Sequence, residues 1–174
     1  MRIPCIIALG LGLAACGGPG ADRAADQAGA EAASAMASAA VGGKVRIEDD
    51  RLRIEDGKGQ LQLDTAGKGL ERPDWWPQDV FLPGDGLIAQ VGHNEGAQLL
   101  GVMLPQASAE AAEVIVRGMQ ERGWSTRRSS AGRDGTGMTT FAKDGRQVSV
   151  LVIPARQGQA GTLATYHLRE GAAR

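Results

Sequence analysis

From Lys44 onward the chain is built of short alternating stretches punctuated by glycine turns, a pattern that restricts it to antiparallel strands. Val45-Arg46-Ile47 and Leu52-Arg53-Ile54 alternate apolar and polar residues, and the tetrapeptide Arg-Ile-Glu-Asp recurs at 46–49 and 53–56. A period of two puts one apolar side on each strand. Leu61 and Leu63 continue the alternation after Asp56-Gly57-Lys58-Gly59, whose Asp-Gly pair signals a tight hairpin. A three-stranded meander over residues 44–71 is therefore expected. Neither acidic turn spaces its oxygens at the alternate positions a calcium loop requires.

Prolines at 73, 77 and 83 exclude a regular helix or central strand over residues 72–84, which are expected to form an extended connector. Its Trp75 and Trp76 are candidate partner-binding aromatics. The competing role is structural, one ring plugging the core and the other partly exposed.

Residues 85–170 carry the signature of an α+β domain. Strands at Leu87–Val91 and Gln98–Leu104 flank a loop, Gly92-His93-Asn94-Glu95-Gly96. Ser108 is the expected cap of a helix running to about Arg122, with Glu110 and Glu113 near its positive end. Ala111, Ile115 and Met119, helped by Val114, form its buried stripe. Gly118 weakens this helix by about 1 kcal/mol relative to Ala and suits close packing on the sheet. At the other end Gly123 supplies the left-handed residue that stops a helix, and Trp124 folds back on Met119 as a packing anchor. Further strands are expected at about 124–130, 138–143, 147–154 and 162–168, with Lys143-Asp144-Gly145-Arg146 as a hairpin turn. Val148, Val150, Val152, Ala164, Tyr166 and Leu168 would face the helix. The fold class expected is α+β: a short N-terminal β meander, then an antiparallel sheet of about five to six strands packed by one α-helix.

The N-terminus has a different character. Arg2 and the apolar run from Ile3 to Leu13 have the form of an export signal, far shorter than the roughly 20 residues a spanning helix needs. The run closes on Leu13-Ala14-Ala15-Cys16, which resembles the lipobox of bacterial lipoproteins at all four positions. That resemblance implies removal of residues 1–15. It makes Cys16 the first mature residue, bearing a diacylglyceryl thioether and an acylated amine, enough chains for stable anchoring. Residues 16–43 are then a lipidated cysteine and an Ala/Gly-rich tether. Met36 and Val41 are the only large apolar side chains after Cys16 in that segment, and its alanines favour an isolated helix over 21–40.

Gly17 stands where an Asp would signal inner-membrane retention. The resemblance therefore implies the periplasmic leaflet of the outer membrane, with the inner membrane or cell surface as alternatives. The second of the two cysteines, Cys5, lies inside the signal. The exported domain is thus left without a disulfide and must rely on a conventional core. The order of lipobox, Ala-rich tether, Asp-Gly hairpins, Pro-Trp-Pro connector and Gly-Trp helix end resembles a group of uncharacterised bacterial envelope lipoproteins. Its layout is also similar to the helix-grip modules of outer-membrane assembly lipoproteins, without their terminal helix. No catalytic residue comes with either resemblance.

Chemical constellations are sparse. His93, Glu95 and His167 have no metal-ligand spacing, no Gly-rich loop joins a strand to a helix as a phosphate site requires, and Ser129 and Ser130 beside Arg127 and Arg128 have no evident base. No metal or other cofactor is expected. Residues 44–174 carry 17 basic and 17 acidic side chains, which argues against a nucleic-acid partner. Residues 44–113 hold 7 basic against 13 acidic, and 114–174 hold 10 against 4. Either the halves neutralise one another in a sheet sandwich, or Arg127, Arg128, Arg133 and Arg156 present a basic face to an anionic surface or partner. The expected function is that of a non-enzymatic binding or assembly module, held to the membrane through Cys16 and meeting an envelope protein. A small envelope hydrolase or an enzyme inhibitor is the alternative.

Overall fold

A computed structural model describes residues 43–48, 50–155 and 161–171. The export signal, Cys16, the Ala-rich segment and Arg156 lie outside the described residues. Among the described residues there are nine strands and one helix: β1 (Lys44–Glu48), β2 (Arg51–Asp56), β3 (Gly59–Asp64), β4 (Leu87–Asn94), β5 (Ala97–Leu104), α1 (Ser108–Glu121), β6 (Ser125–Ala131), β7 (Gly137–Lys143), β8 (Arg146–Pro154) and β9 (Thr162–Glu170).

All nine strands form one antiparallel sheet in the order β1-β2-β3-β4-β5-β9-β8-β7-β6. The fold is α+β with one helix on a large sheet, but the expected division into a meander and a sheet of five to six strands is wrong. Strand β3 pairs directly with β4, Gln62 opposite Val91 and Leu63 opposite Gln90. The intervening residues 65–86 do not separate two units. They fold over the sheet on the helix side, where Leu70 N–H donates to the Ile88 carbonyl at 2.7 Å. From β5 the chain crosses to the far edge through α1, which packs over β6 to β9, and returns strand by strand until β9 pairs with β5. One further correction follows from the ladder. Gly92, His93 and Asn94 belong to β4 rather than to a loop, leaving only Glu95-Gly96 as the turn.

The core lies between the helix side of the sheet and a cover made of α1 and the connector. Trp76, Val80, Ile115, Met119 and Trp124 come down from the cover onto Leu100, Phe141, Val148, Val150, Tyr166 and Leu168. The helix ends as its sequence indicates: Gly123 has φ +79°, its N–H donates to the Gln120 carbonyl, and Trp124 N–H donates to the Met119 carbonyl at 3.1 Å. Its start differs. Ala107 is the cap residue, extended at φ −64° and ψ 152°, and Ser108 is already helical with no side-chain cap bond. The Thr162 hydroxyl donates to the Gln106 carbonyl at 2.8 Å, pinning the chain just before that entry.

Gly118 also has a different reason from the one expected. A Cβ there would stand 2.4 Å from the ring of Phe81 in the connector, so the close approach is to the cover's other half rather than to the sheet. Gly118→Ala removes an intrinsic helix penalty of about 1 kcal/mol, yet overpacking against Phe81 costs typically 1–3 kcal/mol. A net loss of stability of up to about 2 kcal/mol is expected in urea unfolding.

Asp79 clamps this cover. Arg146 donates to both of its carboxylate oxygens, at 3.0 and 2.7 Å, and Lys143 to one at 2.9 Å. The Asp79 backbone carbonyl accepts from Trp124 Nε1 at 2.8 Å, and Lys143 also donates to the Arg122 carbonyl at the helix end. The Arg146 hydrogen bonds hold the Asp79 carboxyl down at about 2, against the cost of burial and with help from Lys143. Its side chain is 29% exposed, so solvent screening reduces the linkage to about 1–2 kcal/mol. That contribution is complete above the ordinary carboxylate range and is lost as pH falls through about 4 to 2. Asp79→Asn should therefore be less stable than the parent chain at pH 7, with the gap closing below pH 3 in parallel urea titrations.

Candidate functional site

Directly opposed residues of an antiparallel ladder share one face of the sheet, so the registers carry each side chain's face across all nine strands. Leu168, Tyr166 and Leu100 look toward the cover, and the Tyr166 row runs on through Val91 to Gln62, Arg53 and Arg46. In β1 to β3 the side toward the cover is therefore polar. The apolar residues of those strands, Val45, Ile47, Leu52, Ile54, Leu61 and Leu63, point to the opposite side, here termed the open face. Polarity inverts across the sheet, with β4 as the crossover.

Apolar residues from the other strands join them on the open face: Leu99 and Met103 of β5, Leu163 of β9, Leu151 and Ile153 of β8, and Met138 of β7. The exposed large hydrophobic residues among those described, Ile47, Leu87, Met138 and Ile153, are 37–50% exposed and all lie there. Ile47 and Met138 share one row of the sheet, and Leu87 and Ile153 share another. Toward β6 the surface turns polar through Ser149, Thr140, Ser130 and Arg128.

A groove of about 380 Å³ is set in this face between Ile54 and Leu61 on one side and Leu99 and His167 on the other. Gly92 forms its floor. An added Cβ there would meet Leu61 Cδ1 at 3.0 Å and the Gln60 carbonyl at 3.1 Å. Burial, with the charge of Arg169 adding to it, holds the His167 imidazole below its ordinary pKa, so this side chain contributes no charge to the groove wall at neutral pH. A smaller hollow of about 290 Å³ lies toward the cover, lined by Trp75, His93, Gln98, Leu168 and Glu170.

The residues singled out in the sequence are dispersed. Trp76 is fully buried, edge-on to Tyr166 at 6.4 Å between ring centroids. Trp75 is half-buried and stands edge-on to His93 at 5.4 Å, forming a wall of the smaller hollow. Arg127 and Arg128 sit on the exposed edge strand β6, where the register slips between Thr126 and Arg128. Charges and a bulge of this kind keep a sheet edge from pairing indiscriminately. His93 and His167 emerge on opposite faces and do not converge on a metal. No group of three or more His, Cys, Asp or Glu among the described residues is placed to hold one. Ser129 turns toward the cover side and contacts Thr139 Oγ1 at 3.2 Å, whereas Ser130 faces the open side.

The charge asymmetry has a spatial meaning. The acidic half supplies β1 to β5 and the basic half β6 to β9, so the two charges occupy opposite ends of a single sheet rather than stacked layers. Among the described residues, the ion pairs bridging the halves are those of Asp79 with Lys143 and Arg146. Asp79 itself carried no signal in the sequence beyond its place in the connector. Neither a family model, nor a curated protein, nor a solved structure matches the chain.

The two faces predict different responses to truncation. Leu168→Ala, in the core, should cost about 2–5 kcal/mol. Ile153→Ala, on the open face where the residue stays 37% exposed, should cost less, about 1–2 kcal/mol, because only part of its surface leaves water and no closed cavity is created. Urea midpoints of the two variants provide the check.

Proposed function

We propose that the chain is a lipoprotein of the cell envelope, anchored through Cys16, whose folded part is a non-catalytic binding module using the open face of its sheet. The observation that carries the binding reading is the gathering of Ile47, Leu87, Met138 and Ile153 on one side of the molecule. Single exposed apolar residues are ordinary, but these four share a face with Leu52, Leu63, Leu99, Met103, Leu151 and Leu163, interrupted by Gln90 and Thr165, and an apolar region of that kind marks a place of contact. The rim complements it: Arg128, Ser130, Thr140 and Ser149 border the apolar region toward β6 and offer polar contacts to an envelope protein with an acidic margin. The anchor rests on Leu13-Ala14-Ala15-Cys16 after a short apolar run, and the outer-membrane location on Gly17 at the following position.

Two experiments separate the anchor from the surface. Cys16→Ser should abolish incorporation of a labelled fatty acid and release the chain from the membrane fraction. A cleaved Cys16→Ser form that stays on the membrane would contradict the anchor. For the surface, a photo-crosslinking residue is placed in living cells at Met138 or, as control, at exposed Glu121 on α1. Discrete protein adducts from position 138 and none from position 121 are expected. Adducts from 121 alone, or from neither position, would remove the open face as the binding surface.

A further inference from the structure

On the side of the sheet that carries the cover, two hollows meet at Trp75. The first, of about 290 Å³, runs past His93, Gln98 and Leu168 to Glu170, and the second, of about 240 Å³, is lined by Gln60, Glu71, Arg72 and Asp74. Trp75 is the side chain common to both. Gln60, His93, Gln98 and Leu168 stand opposite one another in a single row of the ladder, so paired strands give the hollows a rigid base.

The connector holds Trp75 in place above that row. Trp76 N–H donates to the Pro73 carbonyl at 3.0 Å, Arg72 Nη2 donates to the Pro77 carbonyl at 2.6 Å, and the neighbouring Trp76 ring is fully buried. Trp75 itself is half-buried, and the two rings beside it, Trp76 at 6.1 Å and His93 at 5.4 Å, are edge-on, so neither lies flat along the indole. A fixed, partly exposed indole is a platform for an apolar ring face, because little rotamer freedom remains to be lost on binding.

Each hollow is also lined by a side chain with a polar atom that the fold does not satisfy. Gln98 Oε1, an acceptor, and Arg72 Nε, a donor, are buried and have no hydrogen-bond partner among the described residues. A ligand that supplies the missing groups relieves the cost of leaving them unpaired. The charges around them select its class. A cation would meet Arg72, and an anion would meet Glu71, Asp74 and Glu170. A neutral ligand rich in hydroxyl groups can donate to Gln98 and accept from Arg72, and the C–H face of a sugar ring suits the indole. Hollows on two sides of one indole call for more than one sugar unit.

We propose that the two hollows form one binding site for a neutral oligosaccharide, with Trp75 as the platform at its middle, Gln98 as an acceptor on one side and Arg72 as a donor on the other. The site goes beyond the contact surface proposed above: it lies on the opposite side of the sheet from the open face and does not depend on it.

The test uses the full-length chain, purified in a detergent without a sugar headgroup. Calorimetric titrations compare chitotetraose, cellotetraose and maltotetraose with cadaverine, succinate and tetra-alanine. At least one tetrasaccharide should bind with a Kd of about 1 mM or tighter, and its affinity should change less than about twofold between low and high salt because no ion pair forms. Trp75→Ala should weaken that binding about tenfold or more, and Gln98→Leu about fivefold or more, with urea unfolding confirming that each variant is folded. Gln98→Leu leaves the platform in place and reads the site even where Trp75→Ala does not fold. No saccharide binding at about 10 mM, saccharide binding indifferent to the substitutions, or tighter binding of cadaverine, succinate or tetra-alanine would overturn the proposal.

Discussion

The pairing of β3 with β4 is the constraint on which the rest of the molecule depends. It joins two stretches of chain separated by a connector of 22 residues, 65–86, into one ladder and thereby fixes which way every side chain of β1 to β3 points. Had the meander stood apart, its leucines and isoleucines would have been free to close on themselves. In the ladder they face away from α1, and the molecule acquires an apolar surface that the helix does not cover. Gly59 permits that junction, because a Cβ there would lie 2.2 Å from the His93 carbonyl.

The cover on the other face works by a different principle. One helix of 14 residues cannot span nine strands, so the connector fills the space beside it with Trp76, Val80 and Phe81. Asp79 ties connector, helix end and the β7–β8 turn together through one carboxylate and one carbonyl. The two halves of the chain thus meet through the β5–β9 ladder, a large apolar core and, among the described residues, the ion pairs of one acidic side chain, leaving most of their opposite charges at opposite ends of the sheet. A molecule with such a dipolar surface and one apolar face is oriented before it touches a partner.

Local features were legible from the sequence because their causes are local. Gly123-Trp124 stops the helix through one left-handed residue, Asp144-Gly145 turns a hairpin with φ values of 47° and 76°, and Val148, Val150 and Val152 share a side by alternation alone. What alternation does not encode is which side is in. Ile54 and Leu61 alternate as cleanly as Val150 and Tyr166, yet they occupy opposite faces, a difference set by a pairing with β4 far along the chain. The same holds for Gly118, whose neighbour Phe81 is remote in sequence, and for Asp79, an unremarkable residue in a proline-rich connector until Arg146 and Lys143 fold onto it. Trp75 and Trp76 were legible as a pair with divided roles, but the open face was invisible.

Hydrogen exchange along β3 tests the central claim most directly. In a continuous nine-stranded sheet β3 is an interior strand, its amides bonded alternately to β2 and β4, so they should be protected to nearly the level of β5 and released together with it as denaturant is raised. Amides of β1, β2 and β3 that exchange as one block, at a much lower opening free energy than β4 and β5, would show a separate meander and contradict the account.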